Sequence, residues 1–180
     1  MRVPTLAEKL CIEVADWRAG VQEYFKTPDK RDSSAYAVTE AAEAVDADLR
    51  SRRVEDLRNK SKQSTLPEEI GDTMLMICTA LGQYWTSTQA PKFFMLPLQE
   101  AVMQISMAYV FVNAPGNLNV SEVSLEKALN ACIQIVGSDK AMDILKACEQ
   151  RIYDRRVQPI MDDGLAQEAW DAVHKPANPV

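Results

Sequence analysis

The sequence predicts an all-α protein, a helical bundle of about six helices with an acidic site between helices two and three. Three observations carry this. Apolar residues recur at three- and four-residue spacing over long segments, helix start and stop signals bracket those segments, and no segment shows the two-residue alternation of a strand. The chain has 180 residues, 47% of them hydrophobic and 26% charged, enough for one sizeable core.

The first helix is expected from about Leu6 to Phe25. Thr5 and Glu8 form a capping-box pair, and Leu10, Val14, Trp17, Val21 and Tyr24 follow at helical spacing. Thr27-Pro28-Asp29 ends it. The second spans about Ser34 to Arg53 and is rich in Ala and Glu, both good helix formers. After a polar basic stretch, Thr65 and Glu68 form a second capping box. Pro67 stands early, where a missing N–H costs little, and this third helix reaches about Trp85. A fourth is expected over Pro97–Val112, a fifth over Glu122–Val136 closed by Gly137, and a sixth from a Ser138 cap to Val157, before Pro159. Residues 1–158 thus read as one all-α domain, with a core motif in 5–86 and additional helices in 92–157. Residues 159–180 read as a C-terminal arm.

The net charge of -6 argues against a nucleic-acid partner, because a phosphate backbone needs a basic footprint. The opening residues Met1 to Thr5 lack the apolar stretch of a signal peptide, and polar residues interrupt the most apolar segment, Leu96 to Val112. A cytoplasmic protein with no membrane partner is therefore expected. Cys11, Cys78, Cys132 and Cys148 lie far apart inside apolar patterns, as buried free thiols do in a reducing compartment. No C-x-x-C occurs and His174 is the single histidine, which leaves a zinc site without ligands.

Chemistry concentrates in two carboxylate pairs. Glu40 and Glu43 are three apart on the second helix, and Glu69 and Asp72 three apart on the third, so each pair shares a helix face. Twenty-five residues lie between Glu43 and Glu69, enough to finish one helix, turn, and return antiparallel. Four converging carboxylates repel unless cations neutralise them. Oxygen-only ligands suit magnesium, with manganese able to substitute, and the charge matches two or more ions per site. Small neighbours Ala41, Ala42 and Gly71 leave room for close helix approach and for ions. A di-iron carboxylate bundle needs Glu-x-x-His pairs, which this sequence lacks.

Glu40-x-x-Glu43 followed by Pro67-Glu-Glu-Ile-Gly-Asp72 resembles the MazG-like all-α nucleotide pyrophosphohydrolases. That group also holds the phosphoribosyl-ATP pyrophosphohydrolases and dimeric dUTPases, and includes small phage proteins. The resemblance covers about Leu6 to Trp85. Thr39 departs from it, standing where the family usually has a first Glu; Asp46, on the same stripe as Glu43, is a candidate to compensate. The resemblance implies hydrolysis of a nucleoside triphosphate to a monophosphate and pyrophosphate, in a homo-oligomer (dimer or tetramer) in the cytoplasm, a host's if the gene is phage-borne. Glu40 would activate the water, and Glu40, Glu43, Glu69 and Asp72 would bind metal. Lys60, Lys62, Arg155 and Arg156 are candidates to meet the phosphates. Trp17 and Tyr36, with Tyr84 and Trp85 behind them, are candidates to stack on the base. A deoxypurine such as dGTP is the preferred substrate, with nucleotide-pool control as the role. The alternative is a non-catalytic nucleotide-sensing or structural bundle with a vestigial acidic site.

Overall fold

Helix α1 (Leu6–Val21) begins where Thr5 and Glu8 exchange hydrogen bonds. The Glu8 amide donates to the Thr5 hydroxyl at 3.3 Å and the Thr5 amide to the Glu8 carboxylate at 2.6 Å. This reciprocal cap satisfies two amides that a first turn leaves free. The computed structural model describes residues 2–52, 64–88, 92–114 and 117–164. The expected extension of α1 to Phe25 does not form. The Tyr24 and Phe25 amides both return to the Val21 carbonyl, at 3.0 and 2.8 Å, closing a turn ahead of Pro28.

Helix α2 (Lys30–Arg52) starts four residues earlier than expected. The Asp29 carboxylate accepts the Asp32 amide at 2.8 Å, so the residue read as a breaker supports a helix start. Ser34, the expected first residue, lies inside the helix and donates its hydroxyl to the Lys30 carbonyl at 2.8 Å. Ala37, Ala41, Ala44 and Ala47 are buried at helical spacing, a narrow face that permits close approach of a neighbour.

That neighbour is helix α3 (Leu66–Leu81). The Glu68 carboxylate accepts the Thr65 amide at 2.6 Å and its hydroxyl at 2.9 Å, with Pro67 in the first turn. The helix stops before the expected Trp85 because Gly82 takes φ 78°, a left-handed geometry that glycine adopts without a Cβ clash. Ile70, Met74, Leu75, Ile77 and Cys78 are fully buried, and α3 is the central helix of the bundle.

Helices α4 (Pro97–Val112) and α5 (Leu118–Val136) pack on each other, α4 also against α2 and α5 against α3. Gly137, at φ 91°, closes α5 as the sequence indicates, its amide donating to the Ile133 carbonyl at 2.9 Å. Helix α6 (Ala141–Ile152) begins two residues later than a Ser138 cap implies, and no side chain caps it. The Lys140 and Ala141 amides both bond the Gly137 carbonyl, at 3.1 and 3.0 Å, so a tight turn takes up 138–140. A Cβ on Gly71 would meet the Ile144 side chain at 3.1 Å and its carbonyl at 3.3 Å. The room that Gly71 provides therefore serves the approach of α6 to α3, not that of α2.

A π-helical turn, Tyr153–Val157, continues α6, and helical geometry resumes over 158–164. The first part of the expected C-terminal arm is thus helical despite Pro159. The proline has no N–H to donate, and the wider turn just before it relieves the crowding its ring causes. The remainder of the arm lies outside the described residues. All four cysteines are buried and unbridged. No helix among the described residues is long and apolar enough to cross a membrane.

Candidate functional site

Glu40 and Glu43 from α2 and Glu69 from α3 each present a carboxylate oxygen, and the three oxygens lie within 4.8 Å of one another. Helix periodicity points both α2 glutamates toward α3, and the close-packed alanine face brings them there. Glu40 feels Asp72 most strongly among its charged neighbours, while Glu69 feels Glu43 most strongly. Position rises along one helix as it falls along the other, the signature of an antiparallel pair.

The surroundings differ for each group. Glu69 is buried, and the Ser64 hydroxyl donates to it. Its carboxyl is nevertheless held above the ordinary range by burial, with Glu43 and Asp72 adding to the effect. Glu40 is half-buried, and burial first, then Asp72, Glu43 and Glu69, push it up to about 7. Glu43 is exposed at the rim.

Asp72 stands apart from the three. Arg151 Nη2 donates to both of its oxygens at 2.7 Å, and the Cys148 thiol donates to Oδ1 at 2.6 Å. Burial and the adjacent carboxylate push the thiol well up, which keeps it a donor. The expected set of four equivalent carboxylates is therefore a cluster of three beside an aspartate that already has a cation.

Glu40 and Asp72 also line a cavity of about 420 Å³, together with Arg18, Phe25, Lys26, Tyr36, Leu75, Met76, Arg151, Ile152, Arg155 and Arg156. Tyr36 is one turn before Glu40 and Met76 one turn after Asp72. On antiparallel helices both positions lie on the side away from Glu43 and Glu69. The cavity runs from the acidic cluster toward a cationic end, and its volume suits a small-molecule ligand.

No known protein family, characterised relative or solved structure matches this chain.

Of the residues expected to meet phosphate, Arg155 and Arg156 line the cavity, whereas Lys60 and Lys62 lie outside the described residues. Arg156 lies over the Phe25 ring at 5.4 Å. Of those expected to meet a base, Tyr36 lines the cavity and is 55% exposed. Trp17 does not line it; its ring packs against the core and sits beside the Arg18 guanidinium at 5.1 Å. Tyr84 and Trp85 line a separate cavity with Glu126. Asp46 pairs with Arg50 at 2.8 Å and is outside the cluster, and Thr39 is exposed. Sequence reasoning missed Arg18, Phe25, Lys26 and the Asp72 partner Arg151. One signal existed: Arg18 stands four residues after Val14 on the buried stripe of α1.

On α6 Glu149 is 5% exposed, with one carboxylate oxygen lacking a hydrogen-bond partner among the described residues. Burial first, then Glu13, push it up to about 7, against the opposing influence of Lys146 and Arg18. A carboxyl raised on folding stabilises the fold fully below its unfolded value, and the contribution is lost as pH rises through the folded value. Urea unfolding at pH 5 and pH 8 should show this loss, with Glu149→Gln removing about 2 kcal/mol of it. Parallel pH profiles for the two proteins would reject the assignment.

Proposed function

We propose that the chain is a magnesium-dependent nucleoside triphosphate pyrophosphohydrolase, cleaving a (d)NTP between the α- and β-phosphates to a monophosphate and pyrophosphate. The observation that carries the reading is the juxtaposition of three carboxylate oxygens within 4.8 Å of one another with a cavity that Glu40 and Asp72 share with the cationic side chains of Arg18, Lys26, Arg151, Arg155 and Arg156. The all-oxygen donor set and the Glu40 and Glu69 carboxyls, raised first by burial and then by their like-charged neighbours, fit a hard divalent cation, whose charge opposes both effects. Glu40, Glu43 and Glu69 would hold magnesium. Asp72 would be available as a fourth ligand where a phosphate replaced it on Arg151, since a guanidinium fork suits either anion. Magnesium, when bound, supplies charge neutralisation at the phosphates and makes water more acidic.

The chain's own groups do the rest. Glu40, the member of the cluster that also lines the cavity, takes the proton of the attacking water as general base. Arg155, Arg156 and Lys26 hold the polyphosphate by charge. Water breaks the α–β anhydride and pyrophosphate departs. A deoxypurine such as dGTP is the inferred substrate, and removal of triphosphates from the nucleotide pool the inferred role. The exposed Met107, Tyr109 and Val110 of α4 support assembly into a homo-oligomer.

A panel of ribo- and deoxynucleoside triphosphates, incubated with magnesium or with chelator, tests the reading. Pyrophosphate, and not phosphate, should appear only with metal. No pyrophosphate from any member would sink the proposal. A second reading, a non-catalytic nucleotide sensor, draws on the Arg151–Asp72 ion pair, which already occupies one carboxylate of the four. Nucleotide binding without turnover in the same panel would favour it.

A further inference from the structure

Arg18 has no part in the hydrolysis proposed for the cavity. It is 3% exposed, it lines the cavity, and its two terminal nitrogens, Nη1 and Nη2, have no hydrogen-bond partner. Unsatisfied buried donors are costly, and more so on a charged group, so this arrangement calls for an acceptor. Nothing among the described residues supplies one. Glu149 influences Arg18 electrostatically, but no ion pair within 4.0 Å joins them among the described residues. The rings of Trp17 and Phe25 each lie 5.1 Å from the guanidinium carbon and compensate the charge without replacing N–H bonds. The Nε of Arg18 donates to Thr79 Oγ1 at 3.3 Å, which fixes the plane of the fork and leaves the Nη pair to a ligand.

We infer that Arg18 reads the nucleobase at the inner end of the cavity, and that it selects a guanine-type base through two adjacent acceptors on one edge. The orientation rests on the hydrolase reading, which puts the triphosphate at the carboxylates. Thr79 is seven residues beyond Asp72 on α3, about 10 Å along the helix, so its partner Arg18 meets the far end of a nucleotide anchored there. A guanidinium fork matches the O6 and N7 acceptors of guanine, whereas adenine sets an N6 donor against one of the N–H groups. Tyr36, which lines the same cavity, offers a ring face for the base.

Calorimetric titration of the full chain with GMP, AMP and inorganic pyrophosphate tests this without requiring turnover. Wild type should bind GMP about tenfold or more tighter than AMP, the scale of one bidentate pair. Arg18→Met and Arg18→Lys should bring the two affinities within about threefold and leave pyrophosphate binding unchanged. The Met variant replaces a buried, unpaired cation with an apolar chain of similar reach, so folding is expected to survive. The Lys variant keeps the charge and loses only the fork. Equal affinities in wild type, or a GMP preference that persists in both variants, would overturn the inference. So would pyrophosphate binding weakened as strongly as GMP binding, which would put Arg18 on phosphate. A chain that prefers GMP through Arg18 yet releases no pyrophosphate from dGTP would lose the hydrolase reading and keep this one.

Discussion

Glu43→Gln is expected to lower magnesium-dependent pyrophosphate release by at least about 100-fold while leaving the helical content unchanged. Glu43 is exposed at the rim of the cluster, so the amide removes a ligand charge with little change in packing. It also removes one of the like charges around Glu40 and Glu69, so the metal-free protein should be no less stable than wild type. Asp72→Asn should lose activity too, but at a cost in stability. Its carboxylate is bound by Arg151 and Cys148, and breaking the pair leaves a half-buried guanidinium with less compensation. The contrast is read from turnover and thermal denaturation on the same samples. Glu43→Gln with activity within threefold of wild type would remove this residue from the chemistry.

The second large effect is on stability. Magnesium or manganese at a hundred times its dissociation constant should stabilise the fold by about 2.7 kcal/mol, a rise of several degrees in Tm that chelator reverses. Because Glu40 titrates near 7 and metal takes only the ionised carboxylate, binding should release a proton. The sign follows: affinity strengthens with rising pH, about tenfold between pH 6 and pH 8, and levels off above. Isothermal titration in two buffers of different ionisation enthalpy reads the proton directly. A Tm insensitive to both ions, in wild type and in Glu43→Gln alike, would leave the acidic cluster as a solvated surface.

The fold was legible in the sequence to the extent that local rules decide it. The Thr5–Glu8 and Thr65–Glu68 caps follow from side chains acting on amides within a few residues, and the Gly137 stop and the start of α4 at Pro97 from the backbone preferences of glycine and proline. Boundaries failed where a residue has two uses. Asp29 reads as part of a break and supports a helix start, and Gly82 halts α3 inside an apolar run that invites continuation. The convergence of Glu40, Glu43 and Glu69 could be reached from spacing, because both pairs repeat at three residues and the connection permits return. The cationic half could not. Arg18, Arg151 and Arg156 come from α1, α6 and the turn after it, and which arginines share a cavity is set by packing that no local pattern encodes. Arg151 also changes the character of Asp72, which spacing alone makes equivalent to the other three.

The π-helical turn over Tyr153–Val157 makes the direction of Arg155 and Arg156 a matter of chain length. Deleting one residue ahead of them restores ordinary winding and turns both arginines about the axis. Residues 158–164 keep their direction, because about five residues of the wider turn cover the angle that about four cover in an α-helix. Substitutions within the turn leave that angular setting alone. Drift in residue type should therefore be tolerated at the exposed Asp154, whereas the loss of a single codon there should turn the basic wall away from the cavity.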